Sequence, residues 1–138
     1  MKKLIFVAFL ACAGLSVNAQ ETSNTVKVEA APYKFKETTH EFGKVPQGVP
    51  ATFTFEFQNI SNQPLVIESA QASCGCTTPE YPKEPVLPSK AAKIKVSFNA
   101  MAVGPFSKAV TVKFASIQQP IVLFIKGEVE PKATTASL

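Results

Sequence analysis

The chain has no arginine, no aspartate and no tryptophan, and its single histidine is His40. Each absence removes a class of function. Readers of nucleic acid lean on the guanidinium fork for bidentate contacts to phosphate and guanine, so a lysine-only surface argues against them. Without aspartate there is no Ser-His-Asp set, and one histidine cannot supply a metalloprotease pair. The phosphate-cradling G-x-x-x-x-G-K-[ST] string is missing, as are internal repeats and any convincing helical period. Glutamates such as Glu56 and Glu68 fall on expected solvent faces, where a carboxylate needs no catalytic explanation.

Long apolar runs are also scarce. The exception stretches from Leu4 to Leu15 behind Lys2-Lys3 and ends in Ser16-Val17-Asn18-Ala19. A positive start, about a dozen apolar residues and a small-residue site form a secretory signal peptide over 1–19. The run is shorter than the roughly 20 residues a membrane helix needs, so no membrane span is expected. A second reading, lipid attachment at Cys12 after Phe9-Leu10-Ala11, has Phe at a position where Leu is usual. Cleavage after Ala19 removes Cys12 and leaves twelve lysines against ten glutamates, so the net charge falls from +4 to +2. Export to the periplasm or beyond is expected, and there the remaining cysteines, Cys74 and Cys76, can hold a disulfide.

What the sequence has in quantity is alternation. A polar leader over 20–32 and a similar tail over 131–138 flank a region of period two, the mark of strands. Phe35–Phe42 reads as a first strand ended by Gly43, with Lys44–Pro50 as turn material. Phe53, Phe55 and Phe57 alternate with Thr52, Thr54 and Glu56. Leu65-Val66-Ile67 leads a third strand, and Ile94–Phe98 and Val110–Phe114 give two more. Ile121–Ile125 is apolar on both faces and reads as a central strand. Nine of the eleven phenylalanines lie beyond the signal peptide. They suit a core between two sheets. The expected fold is all-β: one immunoglobulin-like β-sandwich of about seven strands over 33–130. Pro79, Pro82, Pro85 and Pro88 recur every third residue, which suggests an extended polyproline segment at a sheet edge or outside the sheets.

The candidate chemistry is Cys74-Gly75-Cys76. Three readings stand side by side. A local disulfide is feasible because Gly75 can turn, but a three-residue ring contributes only about 1.6 kcal/mol by loop entropy before strain. A thiol-redox site is the second, although no helix N-terminus is expected there to lower a thiol pKa. Metal is the third: copper(I) on two thiolates, or half a zinc site with His40 as a third ligand. Neither metal is expected as a firm cofactor. Asn59-Ile60-Ser61 matches the N-glycosylation triplet, which arises often by chance.

Several segments together are familiar: His40-Glu41-Phe42-Gly43-Lys44-Val45-Pro46-Gln47-Gly48, Phe57-Gln58-Asn59 to Pro64-Leu65, Ser73-Cys74-Gly75-Cys76-Thr77 and Ile125-Lys126-Gly127-Glu128-Val129. With Ile94–Phe98, Gly104 and Phe106-Ser107-Lys108, they resemble the bacterial domain of unknown function 1573 over Tyr33–Glu130. The strand pattern also resembles Hydin and major-sperm-protein domains, which are mostly interaction modules. The resemblance implies an exported immunoglobulin-like domain common in Bacteroidetes-type bacteria, with no established activity and no catalytic residue to carry over. Ser89 departs from it, since the family often has Gly there. The expected role is therefore a non-enzymatic module that binds an unknown protein of the cell envelope or assembles through a sheet edge. The alternative is a thiol-redox or copper-handling protein working through Cys74 and Cys76.

Overall fold

The computed structural model describes residues 30–132. The expected signal peptide over 1–19 with Cys12, most of the expected leader and most of the tail lie outside the described residues. Eight strands follow in order: β1 Tyr33–Phe35, β2 Thr39–Pro46, β3 Ala51–Asn59, β4 Ile67–Ala72, β5 Thr77–Glu80, β6 Ala91–Phe98, β7 Gly104–Phe114 and β8 Ile121–Glu130. They form two four-stranded sheets, β1-β3-β6-β5 and β2-β8-β7-β4. Every pairing is antiparallel except β2 with β8. No helix occurs among the described residues. This is the immunoglobulin-like sandwich that alternation and aromatic content predict.

The core lies where the inward residues of the two layers meet. Phe55 and Phe57 of β3 are 0% and 1% exposed and face Phe114, Val112 and Val110 of β7. Phe57 meets Phe114 edge-on, with ring centroids 5.3 Å apart. Tyr33 stacks on the same Phe114 ring at 4.6 Å and ties β1 to the opposite sheet. Burying each such ring contributes about 1.5–3 kcal/mol. The outward face of the first sheet is polar and carries charge pairs: Glu56 of β3 sits between Lys36, just after β1, and Lys93 of β6. Hydrogen bonding from Lys36 and then Lys93 holds its carboxyl below the ordinary range. Such exposed pairs keep the face soluble and contribute little to stability.

The observed strands differ from the sequence reading at two places, each for a local reason. The segment read as one strand over 35–42 is two, because the chain leaves the first sheet after Phe35 and enters the second at Thr39. The second strand then continues through Gly43, which has φ 68°, by a register shift between Glu41 and Lys44, and ends at Pro46. Gly43 permits a bulge here and does not end the strand. The proline-spaced segment lies where it was expected, beginning as edge strand β5 and leaving Pro82, Pro85 and Pro88 outside the strands. Ile121–Ile125 lies in the interior strand β8, but only Leu123 and Ile125 of its two faces are fully buried, while Val122 is 37% exposed. Ser89 has φ 63°, the left-handed conformation for which Gly is the natural occupant.

Pro79 fits β5 because of register. The Cys76 carbonyl accepts from the Asn99 N–H at 3.0 Å, so residues 76, 78 and 80 face β6 while Thr77 and Pro79 face away. The missing proline N–H removes no ladder bond. The Thr77 N–H is occupied by the Cys74 carbonyl at 3.4 Å, so β5 offers an incoming strand no donor. Just ahead of β4, Leu65 and Val86 exchange two backbone bonds, so the chain leading into that edge is already paired. β1 has three residues and β2 is bulged. Short, bulged or covered edges are the usual defence against strand addition.

One close contact seats β2 against β8 within the second sheet. A Cβ on Gly127 of β8 would lie 2.7 Å from the Gly43 carbonyl oxygen and 2.9 Å from the Phe106 ring. Backbone oxygen and a core ring cannot both yield. Gly127→Ala is therefore expected to lower the unfolding free energy by about 1–3 kcal/mol in urea titration. Unchanged stability would show that β2 and β8 do not approach this closely.

Candidate functional site

The link from β4 to β5 must carry the chain from one layer to the other, a distance of about 10 Å, in the four residues Ser73-Cys74-Gly75-Cys76. Backbone bonds hold both of its ends. The Ser73 N–H donates to the Ala109 carbonyl at 2.9 Å. The Ala109 N–H returns a bond to the Ser73 hydroxyl at 3.3 Å. On the other side lie the Asn99–Cys76 and Thr77–Cys74 bonds already described. Within this frame Cys74 and Cys76 form a disulfide, with Cα atoms 5.3 Å apart. Both cysteines are half-buried, and Cys76 packs against the core. Gly75 is exposed, with open space where a side chain would stand. Thr77 is only 4% exposed, and its hydroxyl lies 3.7 Å from Cys74 Sγ and 3.9 Å from Cys76 Sγ.

Two further loops share this end of the sandwich. The Gly48 N–H donates to the Ala100 carbonyl at 2.9 Å. The Gln47 side chain donates to the Met101 carbonyl at 3.0 Å. Val49, Met101 and Val103 are 51%, 62% and 50% exposed, half of the large apolar side chains that the described residues leave in solvent. None of the residues 47–50, 73–76 and 99–103 is charged. The fold thus gathers an uncharged, apolar surface beside the disulfide and braces it with backbone bonds. Alternation could not reveal it, since it is assembled from three turns. The readable signal was their shared lack of charge.

His40 is not part of this end. It lies on β2, at one edge of the second sheet, whereas the cysteines follow β4 at the other edge. Three strand spacings, about 14 Å, separate those edges. The His40 ring stacks on Phe53 with centroids 3.5 Å apart and meets Phe42 edge-on at 4.8 Å. It serves as packing at the sandwich margin, and the structure does not bring it to the thiol pair as a third ligand. Among the described residues no group of three or more potential metal ligands occurs. In the disulfide neither sulfur is a thiolate, the form that copper or zinc would require.

Asn59 also has a role that its triplet does not reveal. It is 0% exposed. Its amide donates to the carbonyls of Gln63 at 2.7 Å and Val86 at 2.8 Å, and its oxygen accepts from the N–H of Ser61 at 2.9 Å. Every polar atom of the side chain is used in holding the β3–β4 turn, so in the folded chain it is not a glycan acceptor. Two shallow surface hollows open to solvent. One is lined by Tyr81, Pro82, Lys93 and Lys95, and the other by Ser69, Gln71, Thr111 and Lys113.

Architecture and site together define an immunoglobulin-like β-sandwich with a disulfide hairpin at one end. The chain belongs to the DUF1573 family of proteins of unknown function, which matches residues 33–129. Its fold is similar to a protein of unknown function from Porphyromonas gingivalis W83, at 15% identity and a TM-score of 0.62, over 77% of this chain and 51% of that one. This chain therefore spans about half that protein's length. The PapD-like domain 7 of human CEP192 is similar at 10% identity and a TM-score of 0.58, covering 75% of this chain and 87% of that domain. A Vibrio cholerae protease, VesB, matches at 11% identity and a TM-score of 0.57 over 72% of this chain, but only 32% of its own length. No curated protein matches the sequence.

With its flanks held by the ladder, the hairpin needs the disulfide little. Replacing both Cys74 and Cys76 by Ser is expected to cost no more than about 2 kcal/mol in thermal or urea unfolding, with the far-UV spectrum unchanged. Loss of the folded state would mean that the bond is the staple.

Proposed function

We propose that the chain is exported and acts, without catalysis of its own, as an interaction module of the cell envelope. It docks an uncharged apolar surface of another envelope protein against Val49, Met101 and Val103. The single observation that carries this reading is the end surface itself: three loops without a charge, braced to one another, on a protein whose sheet faces carry lysines and glutamates. A braced surface loses little conformational freedom on binding, which favours recognition. Charge depletion at the centre of a patch with a polar surround is the pattern of protein interfaces. Lysine is absent from these loops, so anionic lipid headgroups find no partner there. Export is supported by the signal-like Lys2–Ala19 segment and by a cysteine pair suited to an oxidising compartment. The bulged and shortened edges favour this end over strand addition.

The test is in-cell photocrosslinking. A crosslinking residue at Met101 is expected to give a discrete adduct with one envelope protein, and Val49→Glu with Val103→Glu to reduce it at least about tenfold. The same probe at Thr54, on the outer sheet face, is expected to give none. Fractionation is expected to find the processed chain outside the cytoplasm. Equal adducts from both positions, an adduct only with a second copy, or an unprocessed cytoplasmic chain would contradict the reading.

A further inference from the structure

We infer that the Cys74–Cys76 bond is an exchangeable disulfide, a two-electron couple that trades with the dithiol of a second protein, with the Thr77 hydroxyl steadying the sulfur that departs. It rests on the proposed export only for the origin of the oxidised state. The docking reading can fail without it, and it can fail without the docking reading.

Four observations converge. The ring encloses three residues, so chain entropy contributes only about 1.6 kcal/mol to keeping it closed, against about 3 kcal/mol for a fifteen-residue loop. Its flanks are held by Ser73–Ala109 and Asn99–Cys76 backbone bonds that do not involve sulfur, so opening it leaves the ladder intact. The sulfur open to attack is that of Cys74, which is half-buried, lies beside the exposed Gly75 and stands outside the core packing that holds Cys76. Finally, a buried hydroxyl, Thr77, lies within 3.9 Å of both sulfurs, where it can donate to a thiolate. A bond kept solely to shape a turn would need none of these provisions. Disulfides within reach of solvent are more labile than fully buried ones.

The step balances as ordinary thiol–disulfide exchange. One thiolate of the incoming dithiol attacks Cys74 Sγ, because Cys76 is packed against the core. The Cys74–Cys76 bond breaks, and Cys76 Sγ leaves with the electron pair, accepting a hydrogen bond from Thr77. The partner's second thiolate then attacks its own sulfur in the mixed disulfide and releases Cys74. Two electrons pass to the hairpin, the two protons lost by the partner's thiols end on Cys74 and Cys76, and the partner leaves as a disulfide. The reverse sequence reoxidises the hairpin. Thr77 is a positioning residue here; the cysteines are the reacting groups.

The experiment equilibrates the intact oxidised chain with glutathione buffers of varied thiol-to-disulfide ratio and counts free thiols by alkylation and mass. Thiolate formation in the reduced chain is followed by ultraviolet absorbance against pH. The expected result is reversible reduction with native circular dichroism. In Thr77→Val the midpoint ratio should shift about three- to tenfold toward more reduced glutathione, and thiolate formation should move to higher pH. Thr77→Ser, which keeps the hydroxyl, should behave as the original chain, and Thr77→Ala replaces the valine variant if that does not fold. Reduction only on unfolding, a pair that never changes state across the buffers, or hydroxyl-free variants identical to the original chain would overturn the inference.

Discussion

Everything else in this molecule depends on the layer where Phe55 and Phe57 of one sheet meet Phe114 and its aliphatic neighbours on the other. That layer is dry and close-packed, and it fixes the spacing and register of both sheets. Once the sheets are fixed, the loops have little freedom. The β4–β5 link must cross the sandwich in four residues, and the β2–β3 and β6–β7 turns must end beside it. The apolar end surface is therefore a product of strand register, as is the place where the cysteines meet.

Magnitudes order the contributions. A single buried phenylalanine contributes about 1.5–3 kcal/mol, at least as much as the roughly 1.6 kcal/mol available from closing a three-residue disulfide ring. With several such rings in the core, the disulfide is a minor term in stability. This frees it for chemistry. A staple must stay closed, whereas a bond contributing at most about 2 kcal/mol can open and close while the sandwich stays folded. His40 shows the converse: a side chain that could have been a third metal ligand is engaged in packing against Phe53 and Phe42.

Much of the architecture was legible in the sequence because a period of two is a direct consequence of strand geometry. The phenylalanine run of β3, the alternations of β6 and β7 and the interior position of β8 could all be read that way. Features set by contacts across sheets could not. Nothing local says that the chain changes sheets between Phe35 and Thr39, or that β2 passes through Gly43 to run parallel to β8. Gly43 read as the end of a strand, yet a bulge carries the strand through it, while the edge position of Pro79 was legible because proline cannot donate to a ladder. Asn59 looked like a modification signal because its partners, Gln63 and Val86, are brought to it by the fold. The cysteine pair was legible as a site, but Thr77 and the charge-free loops around it were not.

The central claim is that the sandwich holds the hairpin in place, and not the reverse. Amide hydrogen exchange on the oxidised and the reduced chain tests it most directly. The account predicts that the amides of Ser73, Asn99 and Gly48, bonded to the carbonyls of Ala109, Cys76 and Ala100, stay protected after reduction. Those amides exchanging at unfolded-chain rates in the reduced protein, while β3 and β7 remain protected, would contradict it.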